Sequence, residues 1–300
     1  MIRVHVPAGT TNLGAGFDCL GLALAISNTI AVGESDALRI EVPQEEEGRI
    51  PQDERNLVWQ AMVRTWEAAG VAVRPVSIRQ VNRIPVTRGL GSSAAAIVSG
   101  IVAADRLASL RMSIEDRLDL AARLDGHPDN VAPALLGGLT AVALDGGRVR
   151  AVRAMPHPGF SFFIMIPDFE LSTRRARTAL PDQYSRADAV HNLTRATLMF
   201  ASLTGGHPEN LWTSCDDRMH QPYRRALVPG FDEILAAARR HGAAGAWLSG
   251  AGPAIAAAVW GDTADFEAGM RGALAALPGR WSLHLPGVAA EGAVAEPSDI

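Results

Sequence analysis

The segment Gly89-Leu90-Gly91-Ser92-Ser93-Ala94 is the part of the sequence best suited to chemistry. Glycine allows a left-handed backbone and a close approach of the main chain to a ligand. If a helix begins at the serines, its free amides form an anion site, and a serine hydroxyl can ligate Mg²⁺. Arg88 lies beside the loop as a charge partner. The same pattern is typical of a helix cap, so phosphate binding and capping both stay open.

Two further glycine-rich loops could bring the main chain close to a ligand. In residues 9–18, Asn12 and Asp18 could bind amino or hydroxyl groups, although both residue types also form irregular turns. Residues 249–253, Ser-Gly-Ala-Gly-Pro, lie between two apolar segments and are also compatible with a tight hairpin. The pattern alone does not choose between a binding loop and a turn.

The segment Asp125-Gly126-His127-Pro128-Asp129-Asn130 places two carboxylates, an imidazole and an amide close together. Such a density of polar groups is uncommon in a structural segment and suggests a site. However, a near copy, Gly206-His207-Pro208-Glu209-Asn210, follows later in the chain. At least one of the two segments is therefore expected to be only a turn.

Two arginine clusters could bind anionic groups. Arg174, Arg175 and Arg177 follow Thr173, and Arg224 is followed directly by a second arginine. A guanidinium group can hold phosphate or carboxylate with two parallel hydrogen bonds. Each cluster is also compatible with an ordinary solvated face.

Composition excludes several classes of function. All 28 basic residues are arginines, which rules out a Walker A lysine, a Schiff-base lysine and the strand lysine of protein kinases. The formal net charge of −4 provides no basic surface for nucleic acid or an anionic membrane. With two cysteines and no recognisable signal peptide, a reducing cytoplasm is the expected location.

Strands and helices must position these loops, and their order predicts an α+β fold rather than a strict βαβ rhythm. We expect a strand over residues 2–6 that ends at Pro7, and a solvated loop at the acidic residues 45–47. A proline-rich stretch near residue 155 predicts a division into domains 1–155 and 156–300. The clearest further elements are helices over 56–69, 92–110, 113–125 and 187–204, a strand over 76–81 and hairpins over 139–154 and 247–260.

Taken together, the three glycine-rich loops resemble those of the GHMP kinase superfamily, which binds ATP without a P-loop lysine. Within it the chain is most similar to the homoserine kinases, over nearly its whole length. Four segments carry this resemblance, and the third is the most specific to homoserine kinases: VPAGTTNLGAGFDCLGLAL (6–24), IPVTRGLGSSAAAIVSG (84–100), DGHPDNVAPALLGG (125–138) and LSGAGPAIAAAV (248–259). The segments LSTRRARTALP (171–181) and DRMHQPYR (217–224) add to it.

The resemblance implies an N-terminal domain like ribosomal protein S5, a ferredoxin-like C-terminal domain and an active site between them. It implies that ATP is wrapped by the ATP loop, residues Pro85, Val86, Thr87, Arg88, Gly89, Leu90, Gly91, Ser92, Ser93, Ala94 and Ala95. Asn56 would lie near the nucleotide base. Mg²⁺ would be bound by Ser93 and Asp125. Homodimers are common in this family.

The resemblance also implies roles around the substrate. Asn12 and Asp18 would bind it, with Asp18 taking an ammonium group, and His127 would line the same pocket. Asn130 would lie beside the reacting hydroxyl. The remaining members of the implied set are Thr173 and Arg177, which would face the γ-phosphate and the hydroxyl, and Arg224, which would bind the substrate carboxylate.

The sequence departs from the family pattern at several positions. Gly9 and Thr11 replace Ser and Ala, and Ala15 stands where Pro is usual. Asp125 stands where the family has a Glu that binds Mg²⁺. Because Asp is one methylene shorter, direct ligation can become water-mediated.

The activity that the resemblance implies is phosphorylation of L-homoserine by ATP to O-phospho-L-homoserine, the step before threonine synthase. We expect transfer without a dedicated base, because a loose transition state makes early deprotonation of the hydroxyl unnecessary. One alternative is another small-molecule GHMP kinase, such as a mevalonate-type enzyme, which would lack a pocket for both carboxylate and ammonium. A second is a non-catalytic ATP-binding sensor, which would show degeneration of the ATP loop, Asn130 or Arg177.

Overall fold

The computed structural model describes residues 1–44 and 48–298, which fold into two β-sheets with helices packed on them. The acidic residues 45–47, expected in a solvated loop, lie outside the described residues. The first sheet contains β1 (Ile2–Thr11), β2 (Leu20–Glu34), β3 (Arg39–Glu41), β4 (Val76–Val81), β5 (Leu139–Asp145), β6 (Arg148–Ala154) and β11 (Val294–Pro297). The second contains β7 (Phe160–Pro167), β8 (Ala243–Leu248), β9 (Ile255–Trp260) and β10 (Trp281–His284).

The first sheet is built around the antiparallel pair β1–β2, and it corrects the expected end of the first strand. β1 continues through Pro7 to Thr11. Proline is tolerated because β1 pairs with β11 only over residues 2–5, so no partner strand needs an amide donor at Pro7 on that side. The β1–β2 register shifts directly after Pro7. β1 thereby reaches the glycine-rich loop that begins at Asn12.

The four helices predicted from the sequence lie within two residues of their expected bounds, and the described residues contain ten α-helices in all. They are α1 (Leu57–Ala68), α2 (Ser92–Ala108), α3 (Ile114–Asp125), α4 (Pro128–Leu136), α5 (Thr173–Thr178), α6 (Arg186–Gly205), α7 (Leu211–Cys215), α8 (Gln221–Arg224), α9 (Phe231–Arg240) and α10 (Ala264–Ala275). Side-chain caps explain where several begin: Ser113 caps α3 and Ser185 caps α6, each accepting the amide of an aspartate three residues on. Gly126 ends α3 in the left-handed conformation.

The second sheet is antiparallel and has the strand order β10-β7-β9-β8. Along the chain it runs as strand, helices, two strands, helix, strand, which is the ferredoxin-like arrangement. The ferredoxin-like C-terminal half and the α+β class are therefore confirmed.

One face of the second sheet continues the core of the first half. Phe162 and Trp247 belong to the large cluster that also contains Val4, Leu22 and Trp66. The Trp247 indole N–H donates to Thr10 Oγ1 at 3.2 Å, which links β8 to β1. The other face packs against α9 and α10. The two halves thus share a core, and the division at residue 155 stays a prediction.

Among the residues that the structure describes, none of the helices is both long enough and apolar enough to cross a lipid bilayer.

Candidate active site

The three glycine-rich loops meet at one cleft between the two halves. The Gly9 amide donates to Leu90 O at 3.1 Å, and the Gly250 amide donates to Thr11 O at 3.1 Å. Ser249 Oγ donates to Gly89 O at 2.7 Å. The cleft they border encloses about 480 Å³. Residues 249–253 form the turn between the antiparallel strands β8 and β9, so this loop is both a hairpin and part of the site.

The ATP loop runs into the first turn of α2, which begins at Ser92. Gly91 caps this helix with a φ of +71°, so the amides of Ser92, Ser93 and Ala94 lack intrahelical acceptors. Gly89, at φ +76°, approaches the β8–β9 turn so closely that a Cβ there would overlap Ser249 O. Both glycines are therefore required by backbone geometry. Ser92, Ser93 and Ala94 line the cleft, so their free amides are available to bind phosphate there.

Arg88 lies beside this loop but points away from the cleft. It is 8% exposed, and its guanidinium donates to Pro167 O at 3.0 Å and to Asp168 O at 2.9 Å. Its hydrogen-bonding groups therefore join the ATP loop to the second half instead of facing a phosphate. Among the described residues, eight members of the predicted loop line the cleft: Val86, Thr87 and residues 89–94. Pro85, Arg88 and Ala95 do not line it.

Asn12 and Asp18 form the floor of the cleft opposite α2, and both have left-handed backbones, with φ of +69° and +56°. Asn12 Oδ1 accepts the Asp18 amide at 3.0 Å, and Asn12 Nδ2 donates to Gly250 O at 2.7 Å. Asn12 thus both stabilises the turn and lines the cleft. Its amide fixes the position of Asp18 relative to the β8–β9 turn.

Two arginines face this floor. Arg177, on α5, forms a two-pronged ion pair with Asp18, at 2.9 and 3.4 Å. Arg224, on α8, is 1% exposed and has no carboxylate within ion-pair distance among the described residues. Its Nε donates to Ala176 O at 3.2 Å, and its guanidinium lies over the Phe17 ring. Burial and the nearby Arg177 lower the pKa of Arg224 to about 10, so it stays charged at neutral pH.

The polar segment at residues 125–130 joins α3 to α4 and lies in the cleft. His127 Nδ1 lies 3.3 Å from Asp125 Oδ2, and this hydrogen bond raises the pKa of His127. Asp129 is 1% exposed, and within the described part of the chain its Oδ2 has no hydrogen-bond partner. Burial, reinforced by Asp18, raises the pKa of Asp129 to about 7. Asn130 contacts Asp129 and Thr11 at 3.4 Å.

Other predicted site residues also line the cleft, with differing freedom to bind a ligand. Thr173 begins α5 and is exposed. Asn56 caps α1: its Oδ1 accepts from Val58 N and Gln80 Nε2, and its Nδ2 donates to Pro51 O. The Asn56 amide is thus already hydrogen-bonded within the protein. If Asn56 lies near a nucleotide base, we expect a packing contact rather than a hydrogen bond.

Ser93 and Asp125 both present oxygen atoms to the cleft. No group of three or more His, Cys, Asp or Glu residues able to hold a metal ion occurs among the described residues. Mg²⁺ typically takes one or two protein oxygens and completes its shell with phosphate and water. Ser93, in the first turn of α2, and Asp125, at the end of α3, supply oxygen donors of the type that Mg²⁺ takes.

Sequence reasoning did not single out some residues that shape the cleft. Phe17 stacks on the buried ring of His220 at 5.2 Å and also contacts the Arg224 guanidinium, whose Nη1 lies 3.4 Å from His220 Nδ1. His220 Nε2 lies 2.8 Å from Gly14 O, and burial lowers the pKa of His220. Their signals were indirect: Phe17 lies within the glycine-rich residues 9–18, and His220 lies with Arg224 in the segment 217–224. The second His-Pro segment, by contrast, forms a 3₁₀ turn after α6.

Comparison with known proteins decides the family. The family model for the GHMP kinases N terminal domain matches residues 56–138, and that for GHMP kinases C terminal matches residues 208–268. A homoserine kinase of Desulfitobacterium hafniense is 46% identical over 259 residues, which cover 86% of this chain and 87% of that protein. This chain belongs to the homoserine kinases of the GHMP kinase family.

Further relatives agree with this membership. A homoserine kinase of Caldicellulosiruptor bescii is 44% identical, covering 92% of this chain and 90% of that protein. The crystal structure of homoserine kinase from Cytophaga hutchinsonii has a TM-score of 0.87 at 29% identity and covers 98% of this chain and 97% of that one. The mevalonate kinase of Methanococcus jannaschii shares the fold, with a TM-score of 0.69 at 13% identity over 96% and 98%. The GHMP kinase fold is thereby confirmed.

Proposed function

We propose that this homoserine kinase family member transfers the γ-phosphoryl group of ATP to the side-chain hydroxyl of L-homoserine. The products are ADP and O-phospho-L-homoserine, and the reaction belongs to threonine biosynthesis. Sequence similarity to proteins named homoserine kinase supports the substrate. The observation that carries the proposal is Arg224, a buried guanidinium that faces the cleft without a carboxylate partner among the described residues.

Arg224 and Asp18 together suit an α-amino acid. A buried cation of this kind is stabilised when a ligand carboxylate pairs with it, because its own charge is then compensated. Asp18 supplies the opposite charge for the ligand's ammonium group, and both residues line the same cleft. Mevalonate would satisfy only Arg224, and a neutral sugar would satisfy neither.

The opposite wall of the cleft suits the nucleotide. The amides of Ser92, Ser93 and Ala94 would bind phosphate at the start of α2. Arg177, on the substrate side, would neutralise the charge that develops as the phosphoryl group transfers. Phosphoryl transfer asks chiefly for such positioning and charge compensation.

We propose that Mg²⁺ accompanies ATP, with Ser93 and Asp125 as the protein residues that hold it. When bound, it would neutralise charge on the phosphates. Asn130 would orient the reacting hydroxyl. A strong base is not required, because a loose transition state makes early deprotonation of the hydroxyl unnecessary.

We also propose a cytoplasmic location and a homodimeric state. The location is supported by the two cysteines, Cys19 and Cys215, which are both free thiols. The homodimeric state is proposed because homodimers are common in this family.

A coupled ADP-release assay tests the activity. The purified chain with Mg-ATP should turn over L-homoserine, with far lower rates for L-serine, L-threonine, mevalonate and galactose. Preference for mevalonate would identify the alternative GHMP activity instead. ATP binding with no turnover of any of these compounds would contradict the proposed reaction and favour a sensor.

A further inference from the structure

The ion pair between Asp18 and Arg177 spans the cleft. Its two atom pairs lie 2.9 and 3.4 Å apart, and the side chains are 41% and 36% exposed. Asp18 belongs to the glycine-rich loop after β1, whereas Arg177 lies on α5 of the second half. A ligand that enters the cleft therefore meets both partners of this pair.

Arg177 is the partner that can move. The Asp18 backbone is fixed by its left-handed conformation and by the bond from its amide to Asn12 Oδ1 at 3.0 Å. Arg177 has a long side chain on a helix of six residues, and its buried Nε has no hydrogen-bond partner within the described part of the chain. An unsatisfied buried donor is costly, so another arrangement that pairs it is accessible.

Building on the proposed function, we propose that Asp18 is a positioning residue that holds Arg177 away from the nucleotide until an ammonium group replaces it. Two cations compete for one carboxylate, so a substrate ammonium group at Asp18 releases the Arg177 guanidinium. Because the substrate carboxylate is bound by Arg224 in the proposed function, the phosphate at the start of α2 is the anion left to bind the released guanidinium. The substrate ammonium group is thus needed for kcat, in addition to its contribution to KM.

The first test is ATP hydrolysis without any alcohol substrate. In this reaction water attacks the γ-phosphorus, the bond to the ADP oxygen breaks, and the proton of the water is released with phosphate. Asp18→Asn removes the charge that holds Arg177, and asparagine tolerates the left-handed backbone well. A partly exposed ion pair is worth up to about 1 kcal/mol, so we expect alcohol-independent ADP release to rise about fivefold.

Two further variants make this result specific. Asp18→Asn combined with Arg177→Ala should lose the rise, because no guanidinium is left to release. Asp145→Asn breaks another aspartate–arginine pair, on the exposed β5–β6 hairpin, and should leave the rate unchanged. The absence of a rise in Asp18→Asn, or a rise that survives Arg177→Ala, would overturn the proposal.

The second test uses 4-hydroxybutanoate, which keeps the carboxylate and hydroxyl of homoserine but has no ammonium group. The unmodified chain should phosphorylate it slowly even at saturation. Asp18→Asn should raise kcat for this compound about fivefold while changing its KM little. If Asp18 only binds the ammonium group, kcat will not rise, and the proposal is wrong.

The two proposals can fail separately. The hydrolysis assay contains no homoserine, so its result does not depend on the identity of the substrate. Failure of the proposed function would appear instead as no turnover of L-homoserine by the unmodified chain.

Discussion

Arg224 and Arg225 are neighbours in sequence, but the fold gives their side chains opposite surroundings. Arg224 is buried in the cleft, whereas Arg225 is exposed and lies 3.4 Å from Asp232. Arg224 is the last residue of the short helix α8, and Arg225 follows it outside that helix. The pair therefore offers a matched comparison of a ligand-binding arginine with a solvated one.

We expect Arg224→Gln to raise the KM for L-homoserine about 100-fold, because it removes a buried, charge-assisted partner of the substrate carboxylate. Arg225→Gln should change this KM less than about twofold. Steady-state kinetics with each substrate varied in turn would measure both effects. Equal KM values in the two variants, or a change confined to the KM for ATP, would contradict a carboxylate site at Arg224.

Asp129 should make stability depend on pH. Burial raises its pKa from 3.8 to about 7 in the folded protein, so the folded state binds this proton more tightly than the unfolded state. The stabilisation is complete below about pH 4 and is lost as the pH rises towards 7. The loss is at most about 4 kcal/mol. Asp129→Asn should flatten the free energy of unfolding between pH 5 and pH 8, measured in urea.

The same variant separates a structural carboxyl group from a catalytic base. Asp129→Asn should keep kcat within about tenfold, whereas Asn130→Ala, which removes the contact to the hydroxyl, should lower it about 100-fold. Complete loss of activity in Asp129→Asn, with the fold intact by circular dichroism, would show that the reaction needs a base there.

Residue types that are unusual in scaffold segments and the resemblance to the GHMP kinases together indicated most residues of the cleft. The sequence could not indicate their pairing. Asp18 and Arg177 are 159 positions apart, and no local pattern relates them. Arg88 was expected beside phosphate, yet three-dimensional packing turns it towards backbone carbonyls of the second half. The sequence shows which functional groups are present along the chain, whereas tertiary contacts determine where each side chain points.

At the scale of elements, the start of α2 depends on the close approach of the ATP loop to the β8–β9 turn. Gly89 has φ +76°, and a side chain there would meet the carbonyl oxygens of Ser249 and Gly252. Gly147, in the β5–β6 turn, has a similar φ of +81° but open space around it. Replacing each glycine by alanine therefore distinguishes two contributions to the loss of stability: the left-handed backbone, which both positions share, and the steric clash, which only Gly89 would have.

Gly89→Ala should therefore destabilise the protein by about 3 kcal/mol or more and raise the KM for ATP, because the loop must shift. Gly147→Ala should cost only about 1 kcal/mol and leave the KM for ATP unchanged. Urea denaturation and ATP-dependent kinetics would measure these values. Similar losses in both variants would mean that backbone conformation alone explains the glycine at position 89.

Elements with strong local signals were predicted well. The helix over residues 113–125 and the hairpin over 139–154 match the structure because caps and turn residues mark their ends. The end of β1 was wrong, since a proline usually stops a paired strand. Here β11 pairs with β1 only as far as His5, and in the described part of the chain no other strand continues that side, which removes the constraint. A strand's neighbours cannot be read from its own residues.

At the scale of the whole molecule, the two sheets are joined by one core and by the chain itself. Trp247 of the second sheet is fully buried in the cluster that contains β1 and β2 residues. β11 follows the second half in sequence but pairs with β1 in the first sheet. The proline-rich stretch near residue 155 lies where the chain passes from β6 of the first sheet to β7 of the second, and composition could not reveal that the chain later returns.

Arg88 should contribute to this union, because its buried guanidinium binds Pro167 O and Asp168 O across the two halves. Arg88→Ala should lower the free energy of unfolding by about 3 kcal/mol, since it removes charge-assisted hydrogen bonds and leaves buried carbonyls unpaired. Arg83→Ala, at an exposed position of the same connection, should cost less than about 0.5 kcal/mol.

In both variants, urea transitions followed by far-ultraviolet circular dichroism and by tryptophan fluorescence should coincide, because the shared core makes unfolding cooperative. Separate transitions for the two probes in the unmodified chain would contradict the shared core. A single transition with equal midpoints for Arg88→Ala and Arg83→Ala would instead show that the sheets are joined by apolar packing alone. Arg88 would then act only locally, on the conformation of the ATP loop.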